Sequence, residues 1–188
     1  MAYTTIDDPT IYFNTKLYAG NGGTQSISGV GFQPDWVWIK NRSGADQHSL
    51  YDSVRGANKV LRSSNNSGEG SQSDGLTSFD SDGFSVGAAG SVNTSSNNFA
   101  SWNWKAGTSF SNDASATSVG SIDSAGSIST TAGFSIIQFS GTGSQGTVAH
   151  GLNAVPHVIF FKRLDTTGAW ASYHKPIGAT KYLRLDST

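Results

Sequence analysis

The sequence predicts an all-β protein: an antiparallel β-sandwich such as a jelly roll, with an internal repeat whose second copy is incomplete. Only 13% of the 188 residues are charged and 36% are apolar, yet the chain contains five Trp, ten Phe and six Tyr. Such a composition builds a small core from aromatic side chains and leaves long polar loops. Turns rich in Gly, Ser and Asn separate many short apolar runs, which is typical of an all-β fold.

The most strand-like stretch is residues 34–40, with the sequence Pro-Asp-Trp-Val-Trp-Ile-Lys. Its β-branched and aromatic residues favour a strand. Because four consecutive large apolar residues leave neither face polar, we expect this strand to be central and covered on both sides. A buried helix would show the same run, but the short length and the preceding proline favour a strand.

Two hairpins are predicted from turn signals. Residues 16–19 and 24–27 should pair around the Gly-Asn-Gly-Gly turn at 20–23, because Gly and Asn accept positive φ. Residues 76–79 and 84–86 should pair as well, since the Asp-Gly dipeptide between them is a hairpin signal.

A further strand is predicted at residues 98–105, where the side chains alternate cleanly. The alternation places Trp102 and Trp104 on one face, and we expect both to point into the core. Shorter strands are predicted at residues 48–52 and 59–61.

Residues 108–131 consist almost entirely of Ser, Ala, Gly and Thr. Such a segment has too few large side chains to build a core, so it predicts a linker. The linker divides the chain into a first β-sandwich copy at residues 1–107 and a second, partial copy at residues 132–188.

The evidence for a repeat is a constant offset of 122, as from Pro34 to Pro156, that holds without gaps. The matching residues are not the abundant Ser, which argues against coincidence. Nothing in the second copy corresponds to residues 79–105, so a half-domain would leave strand edges unpaired. Either the chain is a fragment of a longer protein or another chain supplies the missing strands. The identical pairs are Pro34/Pro156, Lys40/Lys162, Tyr51/Tyr173, Gly56/Gly178, Ala57/Ala179, Lys59/Lys181, Leu61/Leu183 and Arg62/Arg184.

Charge and composition exclude several classes of function. The net charge is −1 and the Lys and Arg residues are dispersed, so we expect no nucleic-acid binding. No apolar run approaches membrane-spanning length, so we expect no membrane insertion. The N-terminal residues do not form a secretory signal, which indicates synthesis in a cytoplasm. The absence of Cys excludes disulfides and thiolate metal sites.

No motif for a cofactor, a metal or catalysis is convincing. Residues 141–146 fit the pattern G-x-G-x-x-G, but the residues that follow do not favour a helix. Asp80 and Asp82 resemble half of a calcium loop, although a plain turn is favoured because the later glutamate is missing. The four His residues lack metal-ligand spacing, and no Ser has the context of an activated nucleophile. We therefore expect a protein that is not an enzyme and holds no cofactor.

Aromatic residues outside the predicted strand interiors are candidates for stacking on sugar rings. Trp170 is the strongest candidate because it stands beside a turn, and Tyr173 follows it on the same half-buried strand. Tyr12 and Phe13 are weaker candidates. The favoured alternative is that each of them covers the core or an interface with another subunit.

Five segments resemble a domain seen in virion proteins of tailed phages, mainly marine and cyanobacterial ones, of the tail-fibre-like or structural kind. The resemblance implies a lectin-like β-sandwich and a place on the virion, with synthesis in the host cytoplasm. It carries no catalytic residue. The segments are residues 3–9, 32–43, 50–56, 79–84 and 102–107.

Two hypotheses about function follow. The first is a structural virion protein, part of a tail fibre or of a capsid or tail appendage, that acts through oligomeric assembly. Its partners would be other copies of itself, in a trimer by analogy with phage fibres, and other virion proteins. The second is a carbohydrate-binding module that recognises a glycan on the host surface.

Overall fold

The computed structural model describes residues 6–187, and most of the regular secondary structure in this part of the chain is β-strand. None of its helices is long and apolar enough to cross a membrane. The strands are β1 (Phe13–Ala19), β2 (Gln25–Ser28), β3 (Trp36–Asn41), β4 (Ser49–Asp52), β5 (Lys59–Val60), β6 (Gly70–Ser71), β7 (Leu76–Asp80), β8 (Gly83–Val86), β9 (Asn98–Trp104), β10 (Thr108–Asn112), β11 (Ser124–Ser129), β12 (Phe134–Phe139), β13 (Val158–Phe161), β14 (Ala171–His174) and β15 (Leu183–Arg184). The short helices are α1 (Gly90–Asn93), α2 (Ala114–Thr117) and the 3-10 turns Pro9–Ile11 and Lys175–Ile177.

Two antiparallel sheets form the main core. One has the strand order β1-β9-β3-β4 and the other has the order β2-β8-β7. Their facing side chains pack into one apolar cluster, which removes them from water and stabilises the fold. The predicted all-β, sandwich-like fold is therefore confirmed. The fully buried members of the cluster include Val37, Ile39, Tyr51, Leu76, Phe84, Val86 and Phe99.

The stretch predicted as a central strand is β3, which lies between β9 and β4. Val37 and Ile39 are completely buried in the main core. Trp36 and Trp38 alternate with them and point to the opposite face, where they are half-buried. The central position is thus confirmed, but the side chains on the tryptophan face of β3 are more exposed to solvent than those on its core face.

Strand β9 presents the face opposite to the predicted one. Phe99, Ser101 and Asn103 are fully buried on the core side, whereas Trp102 and Trp104 are half-buried on the other side. The prediction that both tryptophans enter the core is therefore wrong. Hydrogen bonds offset part of the cost of burying these polar residues: Asn103 Nδ2 donates to Asn14 O at 3.1 Å and to Ser101 Oγ at 3.1 Å, whereas Asn103 Oδ1 has no partner.

Of the two predicted hairpins, one forms and one does not. Strands β7 and β8 pair around the Asp-Gly turn as predicted. Strands β1 and β2 do not pair with each other, because β1 pairs with β9 and β2 with β8. The turn between them crosses from one sheet to the other, held by the buried Asn93. The Asn93 amide donates to Asn21 Oδ1 at 2.9 Å and to Gly87 O at 2.9 Å. The Gly-rich turn is therefore held by a residue about 70 positions away in the chain and not by a hairpin partner.

The predicted linker at residues 108–131 contains β10, α2 and β11. With β12, these two strands form an antiparallel sheet of order β10-β11-β12. The prediction of a linker is wrong in this respect, because strands pair through backbone hydrogen bonds, which do not require large side chains. Phe134 of β12 also stacks on Trp104, with ring centroids 6.2 Å apart. The segment is thus structured, while the proposed domain limits stay a prediction.

The hairpin β13–β14 has the same register as β3–β4 after the offset of 122. Trp36 pairs with Asp52 and Val37 with Tyr51; Val158 pairs with His174 and Ile159 with Tyr173. The next contact is also equivalent, because the Leu50–Leu61 bridge corresponds to the Ser172–Leu183 pair. The backbone therefore follows the sequence match residue by residue over this segment.

Loop contacts follow the same offset. Ser53 N donates to Asp35 O at 2.8 Å, and Lys175 N donates to His157 O at 2.8 Å. Gly56 and Gly178 have φ of 92° and 84°, a left-handed conformation that favours glycine. The same left-handed backbone conformation therefore explains why both copies have glycine at this position.

Buried Asp35, which directly precedes β3, joins four parts of the fold. Its carboxylate accepts hydrogen bonds from Ser53 Oγ at 2.6 Å, Ala106 N at 2.8 Å and Ser127 Oγ at 3.2 Å. These donors follow β4, follow β9 and belong to β11. One carboxylate therefore ties the end of the main sheet to the sheet that contains β11.

Asp35→Ala should lower the free energy of unfolding by about 3–5 kcal/mol, because it leaves several buried donors without an acceptor. The measurement is urea unfolding followed by tryptophan fluorescence. Asp165→Ala is the matched control, since that carboxylate is exposed and pairs only with exposed Arg163. A loss for Asp35→Ala no larger than that of the control would contradict the role of Asp35.

Candidate functional site

The most distinctive surface of the molecule is the open face of the second sheet, β13-β14-β15. We call residues 6–107 the first unit and residues 132–187 the second unit. In the first unit, the equivalent face carries Val37, Ile39 and Tyr51, which are buried beneath the β2-β8-β7 sheet. In the second unit, no sheet covers this face within residues 6–187. A face that is core in one unit is therefore surface in the other.

The open face forms a groove of about 450 Å³. Its centre is apolar, and Ile159 and Phe161 stand where Val37 and Ile39 stand in the first unit. Tyr182 closes one side of the groove. We call this surface the second-sheet groove. The residues that line it are Ile159, Phe161, Ala171, Ser172, Tyr173, Ala179, Thr180, Lys181 and Tyr182.

Large apolar side chains reach solvent on both faces of β13. On the groove face, Phe161 is 45% exposed beside Ile159. On the opposite face, Val158 is 48% and Phe160 43% exposed, because successive side chains of a strand point to opposite faces. Exposed apolar surface of this kind on soluble proteins marks contact sites for other molecules.

Tyr173 lies in the second-sheet groove, as its sequence equivalence with Tyr51 predicts. Tyr51 is fully buried and its hydroxyl donates to Gln72 Oε1 at 2.9 Å. Burial raises the pKa of Tyr51 to about 12. Tyr173 is only half-buried, so its ring is accessible to a ligand or to another protein.

Trp170, the strongest sugar-stacking candidate from the sequence, is only 2% exposed. It packs with Leu50 and Leu61 of the first unit, and its Nε1 donates to Arg62 O at 2.8 Å. The sugar-stacking hypothesis for Trp170 therefore has no exposed ring to rest on, and the burial agrees with the favoured alternative, in which the ring covers a core. A turn beside a half-buried strand is normally solvent-exposed, but here the first unit covers it.

Trp170 belongs to an interface between the two units. Gly168 N donates to Asn66 O, and Glu69 N donates to Leu164 O, both at 2.8 Å. Backbone hydrogen bonds on both sides of the Trp170 ring hold the second unit against the first. Trp170 is therefore a structural residue that positions the second-sheet groove.

The weaker candidates lie far along the chain from that groove. Tyr12 and Phe13 line a smaller cavity of about 180 Å³ with Trp104 and Phe134. The ring of Phe13 is 4.8 Å from that of Trp104, so it covers the tryptophan face of the main sheet. These residues therefore act mainly as packing.

The acidic motif at Asp80 and Asp82 and the glycine-rich motif at residues 141–146 both occur at turns or loops and not in binding sites of the predicted kinds. Asp82 accepts hydrogen bonds from Gly29 N at 2.9 Å and from Gly31 N at 2.7 Å, and these bonds hold its pKa below the usual value. Asp80 accepts from Ser78 Oγ and Ser85 Oγ, both at 2.7 Å. Residues 141–146 form a loop that leads to no helix. No group of three potential metal ligands occurs in the described chain.

Sequence reasoning missed the side chains that give the surface its character, namely Val158, Ile159, Phe160 and Phe161. Their apolar run, which is equivalent to residues 34–40, predicts a strand covered on both sides. A contrary signal was present, since the second copy has no counterpart of Phe84, which packs on this face from the opposite sheet in the first unit.

Comparison with known proteins adds a family but no function. A family model described as a domain of unknown function (DUF7483) matches residues 8–188. No curated protein matches the chain. No solved structure matches it either.

Trp170→Ala should lower the free energy of unfolding by about 3–5 kcal/mol, because it opens a cavity against Leu50 and Leu61. The measurement is the thermal or urea unfolding midpoint. Tyr182→Ala removes an aromatic ring that is 60% exposed and should leave the midpoint near that of the wild type. Equal midpoints for the two variants would show that Trp170 is not part of the core.

Stability should fall on acidification because of His48. His48 Nδ1 accepts a hydrogen bond from Trp38 Nε1 at 2.7 Å, which requires the neutral ring. Burial of the ring, and to a smaller extent the positive charge of Lys40, lowers the pKa of His48 below 6.5. The stabilisation is present above pH 6.5 and is lost as the pH falls through the folded-state pKa. The free energy of unfolding should therefore drop more steeply in the wild type than in His48→Gln between about pH 7 and pH 5. Parallel slopes for the two proteins would refute this.

Proposed function

The chain belongs to the family described as a domain of unknown function (DUF7483), and we propose that it is a non-enzymatic structural protein that acts through oligomeric assembly. The observation that supports this best is the second-sheet groove. It exposes residues equivalent to the core residues Val37 and Ile39, and apolar surface of this kind is stabilised when another protein covers it.

The surroundings of the groove support assembly over catalysis. The lining residues are mainly apolar, and the one charged residue in the lining is Lys181. A general acid or base needs a titratable group held beside its substrate, and the groove holds no carboxylate or histidine in its lining. Broad apolar contact is what such a surface offers.

A place on a virion is the second part of the proposal. It is supported by the five segments that resemble tail-fibre-like and structural proteins of tailed phages. In that setting, the chain would be a component of a tail fibre or of a capsid or tail appendage. Its partners would be two further copies of itself and other virion proteins.

Carbohydrate binding remains the alternative proposal, but its support is smaller. Buried Trp170 offers no ring face to a sugar, so the proposal now rests on Tyr173 in the groove. Tyr173 shares the groove with the exposed rings of Phe161 and Tyr182, but the one charged residue of the lining is Lys181, and sugar hydroxyls need hydrogen-bond partners as well as ring faces.

Multi-angle light scattering at several concentrations tests the assembly proposal. The wild type should give a concentration-independent mass, of three copies by analogy with phage fibres. Phe161→Glu should shift the mass to that of a monomer, because it places a charge in the apolar groove. Val119→Glu is the control, since Val119 is exposed and lies outside the groove. A monomeric wild type at every concentration would refute the proposal.

A further inference from the structure

One strand position of the first unit is vacant in the second. In the main sheet, β3 pairs with β4 on one side and with β9 on the other. Its counterpart β13 pairs with β14 and has no other neighbour in the described residues. The edge of β13 that corresponds to the β9 side of β3 is therefore free, and a free edge presents unpaired backbone donors and acceptors.

A second free edge points to the same missing strand. Strand β9 pairs with both β3 and β1. Sequence similarity matches β1 loosely with β12, since Ile137 takes the place of Leu17. In the sheet β10-β11-β12, β12 is terminal and pairs only with β11. The counterparts of both neighbours of β9 are therefore present, and each has an unpaired edge.

We propose that the edge of β13 takes up an extended segment from another subunit of the assembly, which runs antiparallel to β13 in the position of β9. The segment has large apolar side chains at alternate positions. This inference rests on the proposed assembly function and names its partner: a β-strand, and not a globular surface or a sugar. Strand addition combines backbone hydrogen bonds with side-chain pockets on alternate positions.

The first unit supplies the template for the contacts. Trp38 pairs with Trp102, with ring centroids 6.5 Å apart, and Trp36 meets Trp104 at 6.4 Å. The equivalents of Trp38 and Trp36 are Phe160 and Val158, which are 43% and 48% exposed. They lack the aromatic partners that the template provides, and cross-strand aromatic pairs stabilise such sheets.

The lysine next to this edge is held by other contacts and does not block it. Lysine side chains often protect free edges, and Lys162 directly follows β13. Its Nζ, however, is directed into the adjacent loop and donates to Gly168 O and Arg163 O, both at 2.9 Å. The equivalent Lys40 donates to Asp46 O, the position that corresponds to Gly168, and β9 pairs beside it. A lysine in this arrangement is therefore compatible with an added strand.

The β9 of a second folded copy is not the donor, because it already lies between β1 and β3 of its own sheet. The segment must come from a polypeptide whose strand is not yet paired.

Disulfide trapping with a synthetic peptide tests the register. The chain has no Cys, so Val158→Cys introduces a unique thiol. The probe is a peptide of residues 97–106 of this chain, with Cys in place of either Trp104 or Asn103. Because Trp36 pairs with Trp104, Val158→Cys should crosslink to the peptide with Cys at 104 about tenfold faster than to the one with Cys at 103. The crosslinked product is quantified by mass spectrometry.

A second variant controls for the side-chain contacts. Phe160→Glu in the Val158→Cys background should reduce the crosslinking rate to that of the peptide with Cys at 103, whereas Val119→Glu should leave it unchanged. Equal rates for the two peptides, or no crosslinking above that of an unrelated peptide, would overturn the inference. Light scattering is a separate readout, so an oligomer without register-specific crosslinking refutes only the strand inference. A monomer that crosslinks in register refutes self-assembly and retains the strand site.

Discussion

The antiparallel pairing of β3 with β9 is the interaction on which the rest of the structure depends. It places Val37 and Ile39 beside the buried side of β9, where Phe99 completes the main core. It also makes β3 a central strand with neighbours on both sides. The residues it brings together are more than 55 positions apart in sequence, so the first unit is held by a contact that no local turn could supply. Asp35 then fixes the end of this pair to β4 and β11 through one buried carboxylate.

The second unit shows what happens to the same hairpin without that contact. Strands β13 and β14 keep the register of β3 and β4, because the register of a hairpin is determined within the hairpin. The burial of the side chains, however, differs between the two hairpins. Ile159, Phe161 and Tyr173 occupy core positions and yet line an open groove. The unit is held in place by its contact with the first unit, centred on Trp170, and not by a core of its own.

This asymmetry connects the fold to the proposed function. A complete sandwich buries its apolar faces and has little reason to associate, whereas a half-sandwich exposes a face and an edge together. The face explains why we propose oligomeric assembly, and the edge explains why we infer an added strand as the mode of contact. The structural role of Trp170 is consistent with both, since the ring holds the open sheet against a rigid first unit while leaving the groove exposed.

The sequence by itself determined the all-β class, the strands β3 and β9, the β7–β8 hairpin and the 122-residue offset that the backbone of β13 and β14 follows. Those features depend on local alternation and turn chemistry, which a single sequence displays. Only the tertiary structure decided that β1 pairs with β9 instead of β2, that Ser101 and Asn103 face the core, and that Trp170 is buried. The physical reason is that alternation assigns residues to two faces but does not say which face meets a partner. That choice depends on long-range pairing and on hydrogen bonds between residues far apart in the chain. The sequence predicts that the second copy is incomplete. Only the tertiary structure shows that the first unit covers Trp170 and leaves Phe161 exposed, and this difference creates the groove.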